Sequence, residues 1–91
     1  MLADQPAQRG PYGNEIAEAL YQTRMLAISE LARRAGIERP KLSEIVNGWR
    51  LPSAEQLDAI SEALGWTPKQ LYPTEEFRAA IEATRRTAAA S

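Results

Sequence analysis

The strongest constraint in this sequence is the short interval from Gly36 to Pro40, because a helix ending at the first must be followed by one that starts before the second. A glycine just past the last apolar position of a helical stretch suits a left-handed C-terminal cap, which closes a helix over about Ile28 to Ala35. Proline is tolerated only in the first turn of a helix, so the next helix begins near Glu38 or Arg39 and runs through Ile45 or Val46 to the Asn47-Gly48 turn. Two helices crossing steeply over so tight a link need a small residue where their backbones approach and apolar residues on the inner face of the second. Ala32, Gly36, Ile37, Leu42 and Ile45 meet those needs, with Leu42 and Ile45 facing Leu31 and Ala35. The outer face of the second helix is left to Arg39, Lys41, Ser43 and Glu44.

The rest of the chain reads as further helices. Asn14 caps a first one that runs to about Arg24, with Ile16, Ala19, Leu20 and Thr23 on one stripe. Ser53 and Gln56 form a capping-box pattern for a fourth, whose buried stripe is Leu57, Ile60 and Leu64 and whose stop is Gly65. Thr67, Pro68 and Gln70 repeat that grammar for a short fifth helix ending at Pro73. Thr74 caps a sixth, from Glu75 to about Ala88, with Phe77, Ile81 and Thr84 along one edge and a frayed alanine-rich end. Pro6, Gly10, Pro11 and Gly13 with no apolar periodicity make residues 1–13 a flexible arm. The expected organisation is this arm, a helical domain over 14–73, and a C-terminal helix with its tail over 74–91.

Composition narrows the chemistry. With 91 residues the chain has room for one compact domain, and with neither cysteine nor histidine it lacks thiolate ligands and the commonest metal ligand and general base. No enzyme activity, metal or cofactor is therefore expected, and Glu75 and Glu76 read as ordinary carboxylates at a helix start. No apolar run nears the roughly 20 residues that span a bilayer, and residues 1–12 lack the form of a signal peptide, so no membrane partner and a cytoplasmic place are expected. Net charge is −1. Residues 14–52 hold Arg24, Arg33, Arg34, Arg39, Lys41 and Arg50 against Glu15, Glu18, Glu30, Glu38 and Glu44, a balance of only +1. Charge alone does not point to DNA.

The run Ser29-Glu30-Leu31-Ala32-Arg33-Arg34-Ala35-Gly36-Ile37, then Leu42-Ser43-Glu44-Ile45, then Asn47-Gly48-Trp49-Arg50-Leu51-Pro52-Ser53, then Leu57 through Ala63-Leu64-Gly65 resembles the lambda-repressor-like (Cro/C1-type) helix-turn-helix family. The resemblance covers roughly Asn14 to Tyr72. It implies an all-α, five-helix bundle, here with an extra C-terminal helix, that binds double-stranded operator DNA as a homodimer. In that family the third helix enters the major groove and the loop after it meets the phosphates. Three departures stand out. The family's glutamine at the start of the second helix is Ile28, its arginine and glutamate pair falls on Tyr21 and Val46, and Glu38 and Glu44 lie on or near the recognition helix. Loss of both charges of a pair can be neutral where apolar packing replaces them, so Tyr21 and Val46 are expected to pack together.

The candidate DNA-binding residues are Arg39, Pro40, Lys41, Ser43, Glu44, Asn47, Trp49 and Arg50. Arg39 and Lys41, in the first turn, reach either base edges or phosphates. Pro40 chiefly starts the helix and Ser43 is balanced between contact and solvation, while Glu44 can accept from cytosine N4. Arg50 is the best phosphate ligand, Asn47 supplies a left-handed turn residue, and Trp49 either covers the core or lies on a sugar. Trp66 belongs to the core, and at least one of Arg33 and Arg34 to the solvated face of its helix. These features predict a sequence-specific transcriptional regulator, a phage or bacterial repressor. A helix-turn-helix module that binds protein, as an antitoxin subunit or anti-repressor, is the alternative.

Overall fold

The computed structural model describes residues 9–24 and 27–90, with side chains through Arg85. Its regular elements are α1 (Ile16–Gln22), α2 (Ile28–Ala35), α3 (Arg39–Val46), α4 (Ala54–Leu64), α5 (Pro68–Leu71) and α6 (Glu75–Ala90). The all-helical fold agrees with the expected bundle. Helix α4 lies at its centre, packed on α2, α5 and α6, while α2 also packs on α3.

Each helix starts and stops for a reason visible in the chain. Gly36 takes φ 70°, ψ 33° and ends α2, and Glu38 in extended backbone opens α3 with Pro40 in its first turn. Both capping boxes form: Ser53 and Gln56 bond reciprocally at the start of α4, as do Thr67 and Gln70 at α5. Helix α1 stops at Gln22, earlier than the stripe predicts, because Arg24 turns to φ 61°. Thr23 is accordingly exposed and its hydroxyl donates back to the Ala19 carbonyl at 2.8 Å.

The core draws on every helix. Ile16, Leu31, Leu42, Ile45, Ile60, Leu71 and Tyr72 have no accessible surface, and Trp66 and Phe77 pack on them from the edge. Burying a side chain of this size contributes about 1.5–3 kcal/mol. Helix α6 joins through Ile81, through Thr84 Oγ1, which accepts the Ala54 amide at 2.8 Å, and through Arg85, whose guanidinium grips Asp58 at 2.9 and 3.2 Å. Those hydrogen bonds hold the Asp58 carboxyl below its ordinary range. The pair therefore contributes fully above that range, and its contribution is lost as pH falls through the lowered value.

Residues 9–13, read from the sequence as the end of a flexible arm, are tied to the bundle; residues 1–8 lie outside the described residues. Gly10 donates its amide to the Asn47 carbonyl at 2.8 Å and Tyr12 to that of Gly48 at 2.9 Å. The Tyr12 ring meets Phe77 edge-on, centroids 5.5 Å apart. Periodicity could not reveal this tie, since hydrogen bonds between backbones leave no side-chain pattern.

The contact at Gly10 is close enough to exclude any side chain, for a Cβ there would lie 2.2 Å from the Gly48 oxygen. Gly10→Ala is expected to cost about 1–3 kcal/mol in urea unfolding and to strip the Tyr12 amide of its protection from hydrogen exchange. An unchanged midpoint with retained protection would show that the strap is not so close.

Candidate nucleic-acid interface

Helix α3 has two faces with opposite tasks. Leu42, Ile45 and Val46 turn inward and are buried, while Pro40, Glu44 and Asn47, spaced i, i+4, i+7, share the exposed stripe opposite them. Arg39 is exposed at the first position of the helix, and Lys41 and Ser43 are half-buried on the flanks. The outermost stripe thus carries one carboxylate and no cation, with cations beside it.

The loop that follows is shaped by the end of α3. The Trp49 amide donates to the Glu44 carbonyl at 2.8 Å and the Gly48 amide to that of Ile45 at 3.1 Å, the reciprocal pattern that closes a helix over a left-handed residue. That residue is Gly48, at φ 84°, whereas Asn47 sits at φ −84°, ψ 2°. The left-handed role expected of Asn47 belongs to Gly48, where no Cβ opposes it. Asn47 is exposed, and Trp49 is 51% exposed and outside the core cluster, so of its two expected roles covering the core is excluded.

Arg50 does not stand free. Its Nε donates to Glu44 Oε1 at 2.8 Å, with both side chains about half exposed (49% and 51%). Exposed pairs of this kind contribute about 0.2–1 kcal/mol, small enough for a strong competitor to open. Arg33 and Arg34 both hydrogen-bond to Glu30, at 2.6 and 2.7 Å, and lower its carboxyl pKa, Arg33 more. This pairing matches a solvated helix face.

The position of α3 is held from a residue far away in the chain. Glu15, not Asn14, holds the N-cap of α1; Asn14 Oδ1, one residue before it, accepts the Ile16 amide at 2.9 Å, and its Nδ2 donates to the Ile45 carbonyl at 2.9 Å and to the Tyr72 hydroxyl at 3.3 Å. Burial pushes the Tyr72 phenol above its ordinary pKa, keeping it protonated. Sequence reasoning placed Asn14 at the start of α1, one residue off the cap, and missed the tie, because partners 31 residues away share no spacing rule. The expected packing of Tyr21 on Val46 is also overturned. Val46 is buried, but Tyr21 is 82% exposed, on the solvent side of α1 at the rim of a groove shared with Ile28 and Val46.

A family model described as the Cro/C1-type HTH DNA-binding domain matches residues 15–76. The chain belongs to this family. Two proteins of Mycobacterium tuberculosis, one from strain CDC 1551 / Oshkosh and one from H37Rv, are each 37% identical to it over 51 residues. Both are described as uncharacterized HTH-type transcriptional regulators. The match takes in 56% of this chain and 36% of each relative, so the chain spans about a third of their length. No solved structure matches it. The Cro/C1-type domain carries no helix, among its described residues, long and apolar enough to cross a membrane.

Asn14 offers a direct check on how α3 of this domain is held. Asn14→Ala is expected to cost about 1–3 kcal/mol. Asn14→Asp should cost nearly as much, since its carboxylate keeps the bond from the Ile16 amide yet faces the Ile45 carbonyl with no donor. A residue that only accepted that amide would tolerate aspartate. Thermal unfolding of both variants distinguishes the two, and an Asp variant as stable as the wild type would reduce Asn14 to that acceptor.

Proposed function

We propose that the chain is a sequence-specific transcriptional regulator, a repressor of phage or bacterial type, that occupies a near-palindromic operator as a homodimer in the cytoplasm. The observation that carries the reading is the presentation of α3: its inner face is fully committed to the core, leaving Arg39, Pro40, Lys41, Ser43 and Glu44 available along one groove-sized element. Arg39 at the N-terminal end of the helix serves as the base reader, where its guanidinium can bond guanine O6 and N7. Asn47, Trp49 and Arg50 serve the phosphate backbone beside it, with the backbone amides of the loop. Pairing of two copies is left to DNA and to surfaces outside Ile81, which is buried, while Thr84 stays exposed with its hydroxyl oxygen accepting the Ala54 amide.

One observation favours a second reading, a helix-turn-helix module that binds protein. The Glu44 carboxylate neutralises Arg50 on a face that should attract phosphates. Selection of duplexes from a random pool separates the two, with half-sites about ten base pairs apart expected for the operator reading and no enrichment for the other.

Within the first reading the roles of the two arginines differ measurably. Arg39→Ala is expected to weaken operator binding by about 1–3 kcal/mol and to relax base preference, while Arg50→Ala weakens operator binding and lowers its salt slope by about one. Equal losses on operator and scrambled DNA for Arg39→Ala would remove it from base readout.

A further inference from the structure

The ion pair on the recognition face joins two groups with opposed relations to DNA, and that opposition makes it a discriminator. Arg50 is attracted by any phosphate, whatever the sequence. Glu44, on the outermost stripe of α3, is repelled by phosphates and by the acceptors guanine O6, guanine N7 and thymine O4. It is satisfied at the base edge only by an amino donor, cytosine N4 or adenine N6.

We propose that Glu44 is a specificity gate on Arg50, releasing the guanidinium to the phosphate backbone only where an amino-bearing base lies beneath its carboxylate. This rests on the operator reading above and adds to it a residue that couples base identity to backbone affinity. On unmatched DNA the Nε to Oε1 bond of 2.8 Å stays closed, Arg50 makes no phosphate contact, and the recognition face offers only Arg39 and Lys41 as cations. On a matched site the carboxylate exchanges Arg50 for the base amino group, and Arg50 exchanges the carboxylate for a phosphate. Each charged group keeps a partner, so the opening costs little. The opposite case, an opened pair over an acceptor base, leaves a carboxylate without a donor and is disfavoured.

The gate predicts a thermodynamic coupling that simple repulsion does not. Binding of the full chain to its selected operator and to a scrambled duplex of equal length is measured by fluorescence anisotropy across a salt series. The proteins compared are the wild type, Glu44→Gln, Arg50→Ala and the double variant. Glu44→Gln should bind scrambled DNA up to about fivefold tighter than the wild type. Its dependence of log affinity on log salt should steepen by about one on that duplex, as one more phosphate is engaged. On the operator the slope should match the wild type, and the operator-to-scrambled ratio should fall. In the Arg50→Ala background the same glutamate change should give only the smaller gain from its lost repulsion, with no steepening of the slope. If the gain from Glu44→Gln and its steeper slope persist undiminished without Arg50, repulsion accounts for both and the gate is overturned. A wild type that enriches an operator while Glu44→Gln behaves identically on scrambled DNA overturns the gate alone. Failure to enrich any sequence overturns the operator reading and the gate together.

Discussion

Full burial of Leu42 and Ile45 sets the rotation of α3 about its own axis, and every statement about its outer face follows from that rotation. Successive helical residues are about 100° apart, so two buried positions three residues apart determine which others reach solvent. The stripe of Pro40, Glu44 and Asn47 is thereby a consequence of core packing. Removing a core methyl group would therefore act on the interface as well as on stability.

Rotation alone does not hold a short helix in place, and here the axial position is pinned at its C-terminal end. Asn14 grips the Ile45 carbonyl from one side, while the Gly10 and Tyr12 amides take the carbonyls of Asn47 and Gly48 from another. The same loop contains Arg50, so the elements that anchor α3 also set where the loop can meet a ligand. The Ile45 carbonyl, in the last turn, takes the Asn14 side-chain amide in addition to the backbone amide of Gly48, and the carbonyls of Asn47 and Gly48 lie just past the end of the helix. Structural satisfaction of a helix terminus and positioning of the candidate interface are one arrangement.

The charge pattern of the face is as telling as its shape. A balance of +1 over residues 14–52 gives the region little long-range pull on phosphates, and within it the Glu44–Arg50 pair sets a carboxylate directly against one of the cations. Weak general attraction lowers binding to random DNA, against which a regulator must compete.

Much of the helical plan was legible in local grammar. Gly36 and Pro40 delimit the turn, Ser53 with Gln56 and Thr67 with Gln70 start two helices, and the apolar stripes of α3 and α4 are the ones buried. Each of these acts within about one helical turn, where sequence spacing and spatial spacing coincide. The candidate residues from Arg39 to Arg50 do lie together on one helix and its following loop. What tertiary structure alone decided was of another kind: Asn14 on Ile45, Gly10 against Gly48, Arg85 on Asp58, and Tyr21 left in solvent. The Glu44–Arg50 pair depended on how the chain turns after α3, and the left-handed residue of that turn proved to be Gly48. Local backbone preference and hydrophobic period are properties of neighbouring residues, so the sequence by itself determined the helices and their inner faces. Pairings across the fold depend on how those helices dock, and docking is settled by packing of the whole core at once.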